Sequence, residues 1–236
     1  TYYFCKMNKK KIIYCLLVCL ISILNYSQKI KEQNKTWLAL QVKMKLDRHW
    51  SLAYDMNNVS ETTNSYRPSV NYTFSNKNNF TSTLGYAFFK NLNSEINYEH
   101  RYWGQINFQK KDLTCELNNR FRYENRNFYS VEDSKLFSYN RLRYQIQLKK
   151  VIFESNTNPT KIDFILADEL LMNLGNEIKN NYQMDQNRFD VGFALNFNKV
   201  TFQANYQNQF VKPINYENQF VMNHVLKFIM AYSIDI

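Results

Sequence analysis

The chain has 236 residues, rich in Tyr (18) and Phe (18), poor in Gly (4) and Pro (3), with a formal charge of +10. This length suits one domain, with or without a leader. Its single long apolar run, Ile12 to Leu24, excludes a multi-span helical membrane protein.

That run follows Met7-Asn8-Lys9-Lys10-Lys11 and precedes Asn25-Tyr26-Ser27-Gln28. A positive start, a short apolar core and a small residue before Gln28 predict a secretory signal peptide. The run is short for a bilayer-spanning helix, which takes ~20 residues. Residues 1–27 are therefore read as upstream residues plus signal peptide, 28–36 as a short segment and 37–236 as the mature domain. Val18 precedes Cys19 where a lipidated cysteine needs a smaller residue, so no lipoprotein anchor is expected. Cys5, Cys15 and Cys19 sit in or before the leader, so the mature chain keeps only Cys115 and no intrachain disulfide is expected. Lys6, Lys9, Lys10 and Lys11 leave with the leader, and the remaining basic excess is read as solubility and unbalanced interior charge.

From Trp37 onward the chain alternates. Leu38, Leu40, Val42, Met44 and Leu46 take one face of a strand, and Ala39, Gln41, Lys43 and Lys45 take the other. After a turn at Asp47-Arg48-His49, Trp50, Leu52, Tyr54 and Met56 repeat the pattern, and a polar loop is predicted at 58–65. Tyr66, Val70, Tyr72 and Phe74 form a third strand, in which Pro68 predicts a weakened ladder or a bulge. Phe80, Leu84, Tyr86 and Phe88 form a fourth. Ile96, Tyr98, Tyr102, Ile106 and Phe108 oppose Asn97, Glu99, Arg101, Gln105 and Asn107. Leu113, Cys115, Leu117, Phe121 and Tyr123 oppose Thr114, Glu116, Asn118, Arg120, Arg122 and Glu124. A loop is predicted at 125–135.

The stretch from Asn140 to Lys149 is the cleanest case. Leu142, Tyr144, Ile146 and Leu148 alternate with Arg141, Arg143, Gln145, Gln147 and Lys149 without exception, which a helix does not allow. Ile162, Phe164 and Leu166 follow, and the pattern blurs at Leu170-Leu171-Met172, predicting a bulge or a strand end. A loop is predicted at 173–184. Phe189 to Phe197 and Val200 to Tyr206 read as a hairpin around Asn198-Lys199. Leu226, Phe228, Met230, Tyr232, Ile234 and Ile236 close the chain, with Ile229 intruding on the polar face.

Eleven strands result, of a length that suits a tilted membrane strand of ~9–11 residues. Short connections alternate with long ones, as in outer-membrane barrels. The predicted fold is all-β: a closed antiparallel up-and-down transmembrane barrel of about 10–12 strands. An odd count is awkward for a bacterial barrel, so either residues 28–35 also cross or one strand is split or missed.

Alternation defines two faces but not their direction. Mixed charges on the polar face and abundant aromatics near strand ends favour apolar outward, because Tyr and Trp prefer the lipid–water boundary. Glu99, Arg101, Glu116, Arg120, Arg122, Arg141, Arg143, Glu169 and Arg188 are then expected to line the lumen as a charged network. Either they constrict a narrow pore, as charged rings do, or they interlock and fill a small lumen.

Several stretches resemble one known family. They are Asn97-Tyr98-Glu99-His100-Arg101-Tyr102-Trp103-Gly104-Gln105, Arg120 to Glu124, Asn140 to Tyr144, Asp168-Glu169, Asp185 to Arg188 and Asn223-His224. In this order they are similar to an uncharacterised outer-membrane barrel family of Gram-negative bacteria, the domain-of-unknown-function 2490 family. His100 stands where that family often has Arg. The resemblance implies a membrane barrel without known activity.

The expected function is an outer-membrane barrel that is structural or a narrow porin-like channel. Its expected partners are outer-membrane lipid and the barrel-assembly machinery, with no nucleic acid. The first alternative is an exported soluble lipocalin-like barrel binding a small apolar ligand. The second is an outer-membrane lipid-modifying enzyme, for which His49, His100 and His224 lack an evident nucleophile nearby. No catalytic residue, cofactor or metal ligand is expected; metal-ligand spacing and Gly-rich phosphate loops are absent from the sequence.

Overall fold

A computed structural model describes residues 30–60, 63–75, 80–91, 96–112, 115–130, 135–175, 183–212 and 220–236. The signal-peptide expectation for 1–27 lies outside the described residues. The described chain forms eleven strands: β1 (Ile30–Lys45), β2 (Trp50–Val59), β3 (Thr63–Ser75), β4 (Phe80–Asn91), β5 (Tyr98–Lys111), β6 (Cys115–Tyr129), β7 (Lys135–Glu154), β8 (Thr160–Leu174), β9 (Met184–Phe197), β10 (Val200–Val211) and β11 (Phe220–Asp235). Each pairs with its sequence neighbours, and β1 closes on β11 into a barrel.

Closure corrects the all-antiparallel expectation. β1 and β11 run parallel, from Ile30 beside Phe220 to Lys45 beside Asp235. The cause is arithmetic. In a meander the direction alternates, so with an odd number of strands the first and last point the same way. β1 starts at Ile30 rather than at Trp37, which gives this parallel ladder its full length. Closure leaves no edge strand with unpaired N–H and C=O groups.

The ladder between β3 and β4 skips Arg67 and Pro68 without changing register, so Pro68 weakens pairing but makes no bulge. The register slips instead at Phe74. A slip at Ile152 lets Ile152 and Phe153 both face outward, although they are sequence neighbours. The blurred stretch of β8 keeps its alternation, and the slip there falls opposite, at Asp185.

Burial follows parity. Along β7, Arg141 and Arg143 are 3% and 8% exposed, while Leu142 and Tyr144 are 45% and 39% exposed. The apolar face is therefore the outer one. The soluble alternative with an apolar interior has the opposite arrangement. The buried apolar set is small, led by Ile165, Leu171 and Val225. Large exposed apolar side chains cover every strand, far beyond the few hundred Å² of apolar patch usual on a monomer in water. A groove of about 760 Å³ among Leu38, Met56, Phe193 and Phe228 belongs to this open outer surface.

Aromatic rings gather at two levels of the outer face. Near the short turns, Trp50, Tyr72, Phe74, Phe80 and Phe108 touch in sequence, with centroids 4.7–5.0 Å apart. Towards the other end, Tyr86, Phe88, Tyr98, His100, Tyr102 and Tyr129 form a second group. On β5 the levels are marked by Tyr98 and Phe108. The strand between them is roughly 33 Å long at the usual rise per residue, which a tilt of about 40° reduces to roughly 25 Å of height. That matches the apolar band of a membrane barrel, ~25 Å.

Candidate functional site

Four carboxylates meet inside the barrel: Glu99 on β5, Glu124 on β6, Glu169 on β8 and Asp185 on β9. The first three side chains are 6%, 0% and 4% exposed. Period-2 alternation turns each inward, and neighbouring strands present arginines at similar heights. Glu124 lies directly across from Arg141, and Glu169 from Arg188.

The arginines act as links. Arg126 grips Glu99 with two N–H donors, at 2.6 and 3.0 Å, and donates to the Tyr139 hydroxyl at 2.7 Å. Arg101 pairs with Glu99 at 2.8 Å and lies 3.6 Å from Glu124. Arg143 bridges Glu124 (2.8 Å) and Glu169 (2.7 Å). Arg141 bridges Glu124 (2.5 Å) and Asp185 (2.9 Å). Glu169 also takes Arg120 at 2.6 Å, with Arg188 at 3.6 Å. Guanidinium forks suit this work because two parallel N–H groups match a carboxylate. The isolated cost of burying so many charges is severe, and it is offset only where every charge finds partners.

Eight of the nine charged residues singled out from the sequence therefore meet in one cluster. Glu116 does not. It is half-buried near the short-turn end, across from Lys111 and Lys149, and takes no part in these pairs. Three members escaped sequence reasoning as site residues: Glu124, Arg126 and Asp185. Arg126 fell in a predicted loop at 125–135, but β6 runs on to Tyr129. The signal that was available is parity, since Glu124 and Arg126 continue the series of Arg120 and Arg122.

Above the cluster, Phe128, Phe137 and Tyr139 pack into a buried group joined by Ile96. Phe128 stacks on Phe137 at 4.6 Å, and the Arg126 guanidinium covers Phe128 at 4.7 Å. At this level β6 and β7 present amides on the outer face, beside the rings of the second aromatic group: Asn125 donates to Asn140 at 2.9 Å, and Asn127 to Asn125 at 2.8 Å.

The histidines sit elsewhere. His100 and His224 are on the outer face, each 2.5 Å from a tyrosine hydroxyl, Tyr86 and Tyr206 respectively. His49 lies in the β1–β2 turn with its Nδ1 2.8 Å from the Thr73 carbonyl. Among the described residues, no group of three or more His, Cys, Asp and Glu side chains is placed to hold a metal ion.

The family profile described as "Protein of unknown function (DUF2490)" matches residues 34–220, which hold the whole cluster. The chain belongs to this family. Among solved structures it is similar to the NanC porin in its rhombohedral crystal form, at 13% identity and a TM-score of 0.49, over 71% of this chain and 78% of that one. No curated protein matches it.

Proposed function

We propose that this DUF2490 protein is an outer-membrane β-barrel whose lumen is closed by its own ion pairs, serving as a membrane-embedded scaffold rather than an open diffusion pore. Lipid is the solvent that fits its outer face. The apolar band and the two aromatic levels would place the rings at the two lipid–water boundaries. Export and delivery by the barrel-assembly machinery belong to the same reading.

One observation carries the closed lumen: Glu124, Arg143 and Glu169, on the adjacent strands β6, β7 and β8, point into the barrel, yet their side chains are only 0%, 7% and 4% exposed, so the interior beside them is filled. Barrels near eight strands are filled by side chains, and wide channels need about sixteen. No catalytic role is assigned, because the outward histidines are engaged by tyrosines within the aromatic surface.

Planar-bilayer recording from purified, folded protein tests the closure. Silent membranes are expected, and discrete conductance steps would overturn it. Extraction of cell envelopes with alkaline carbonate tests location. The protein should stay in the membrane pellet, and its release would remove the outer-membrane reading.

A further inference from the structure

Between the cluster and the short-turn end, the interior holds a polar cavity of about 290 Å³. β1 to β3 and β6 to β11 wall it. Five arginines and two lysines face it against three acids, Asp55, Glu169 and Asp190. Those acids are already engaged. Asp190 accepts from Lys227 and from Gln207, each at 2.5 Å. Asp55 lies 3.1 Å from Arg67. Glu169 is shared by Arg143, Arg120 and Arg188.

The surplus is therefore positive and local. Arg122 donates its Nε–H to the neutral Gln105 at 2.7 Å, and its nearest carboxylate, Glu124, lies 3.6 Å away and is held closer by Arg141 and Arg143. Lys149 makes no ion pair among the described residues. The Nε–H groups of Arg67 and Arg120 are buried with no acceptor among the described residues. A low-dielectric wall around unmatched cations draws in anions. Guanidinium forks fit the paired oxygens of a phosphate or carboxylate.

We propose that this cavity binds a small oxyanion, a phosphate- or carboxylate-bearing molecule, reached from the short-turn end of the barrel. At ~30 Å³ per water the space equals about ten waters, room for one acidic group on a short carbon frame and too little for a drug-sized ligand. The inference rests on the reading of this face as the lumen, but not on the lumen being closed.

Calorimetric titration of inorganic phosphate into the full, folded barrel in zwitterionic detergent at low salt tests it. Binding is expected, weakened about tenfold or more by Arg122→Gln, the effect of one charge-assisted hydrogen bond. Lys149→Gln, a half-buried side chain near the rim, should weaken it several-fold, and it keeps the test open if Arg122→Gln fails to fold. Arg48→Gln, in the exposed β1–β2 turn, should change nothing. Competition from phosphatidylglycerol micelles would support the site with a lipid headgroup as the source; absence of competition would support a soluble solute. No phosphate binding at millimolar concentration, or binding untouched by Lys149→Gln and by any folded Arg122→Gln protein, overturns the proposal. Conductance steps with phosphate binding intact would sink the closed lumen alone. Silent bilayers without phosphate binding would sink the anion site alone.

Discussion

Trp103 lies across Gly85. The two residues face each other directly between β4 and β5, and a Cβ added to Gly85 would stand 2.2 Å from the Trp103 ring. The Arg122 guanidinium covers the same indole, 4.2 Å from its centroid. Glycine here gives the indole room to lie flat beside the charged cluster.

Gly85→Ala should therefore displace Trp103 and destabilise the barrel by roughly 1–3 kcal/mol, the usual cost of forcing a methyl group into a filled interior. Gly104→Ala is the contrast. Its added Cβ would meet only a Leu84 methyl at 3.6 Å, an ordinary contact on the outer face. Thermal unfolding in detergent with tryptophan emission as the signal should separate them. Equal midpoints for both variants would show that Trp103 can move freely.

Glu124 is the carboxylate on which the cluster turns, with Arg141 at 2.5 Å, Arg143 at 2.8 Å, and Arg101 and Arg122 each at 3.6 Å. Glu124→Gln keeps the shape and removes the charge, leaving Arg122 without a paired carboxylate among the described residues and Arg101, Arg141 and Arg143 with only Glu99, Asp185 and Glu169 respectively. A loss of roughly 3–5 kcal/mol is expected, as for one partner of a buried pair. Glu116→Gln, outside the cluster, should stay within about 0.5 kcal/mol of the parent. Urea unfolding of the folded barrels checks both. A Glu124→Gln protein as stable as Glu116→Gln would mean that the cluster contributes no net stability.

Legibility in the sequence followed the alternation of side-chain character. From Leu38 to Lys45 and from Leu142 to Leu148, apolar and polar residues segregate by parity, and both strands form with that register. Alternation stops marking a strand where β6 presents amides on its outer face. Asn125 and Asn127 look like loop residues, yet they pair as outward rungs while Phe128 points inward. The strand continues, but its polarity inverts, so a rule built on apolar-out, polar-in reads it as a turn. Ile165 and Leu171 are interior for a related reason, because parity and not polarity sets direction. Glu124 was visible as an inward residue, but its role as the hub depends on which side chains meet across the barrel, and one strand's pattern carries no such information. The closing pair was hidden for a third reason. Residues 30–36 carry mostly polar side chains, so the start of β1 gives little apolar alternation, and its partner is the last strand in the sequence.

The β1–β2 turn supplies a pH test outside the barrel wall. Asp47 Oδ1 accepts the backbone N–H groups of Trp50 and His49, both at 2.6 Å. Those bonds, that from Trp50 first, hold the carboxyl below the ordinary aspartate value of 3.8. A depressed folded-state value means that the ionised form stabilises the turn above the unfolded value, and that this is lost as pH falls through the lower folded one. NMR of the His49 and Trp50 amides across an acid titration should show both shifting together, with a midpoint below 3.8. Asp47→Ala should abolish that titration. Asp47→Asn should also abolish it while keeping an acceptor oxygen, so its amide shifts at neutral pH should stay closer to the parent's than those of Asp47→Ala. A midpoint at or above the ordinary value would show that the carboxylate does not hold these two N–H groups in solution.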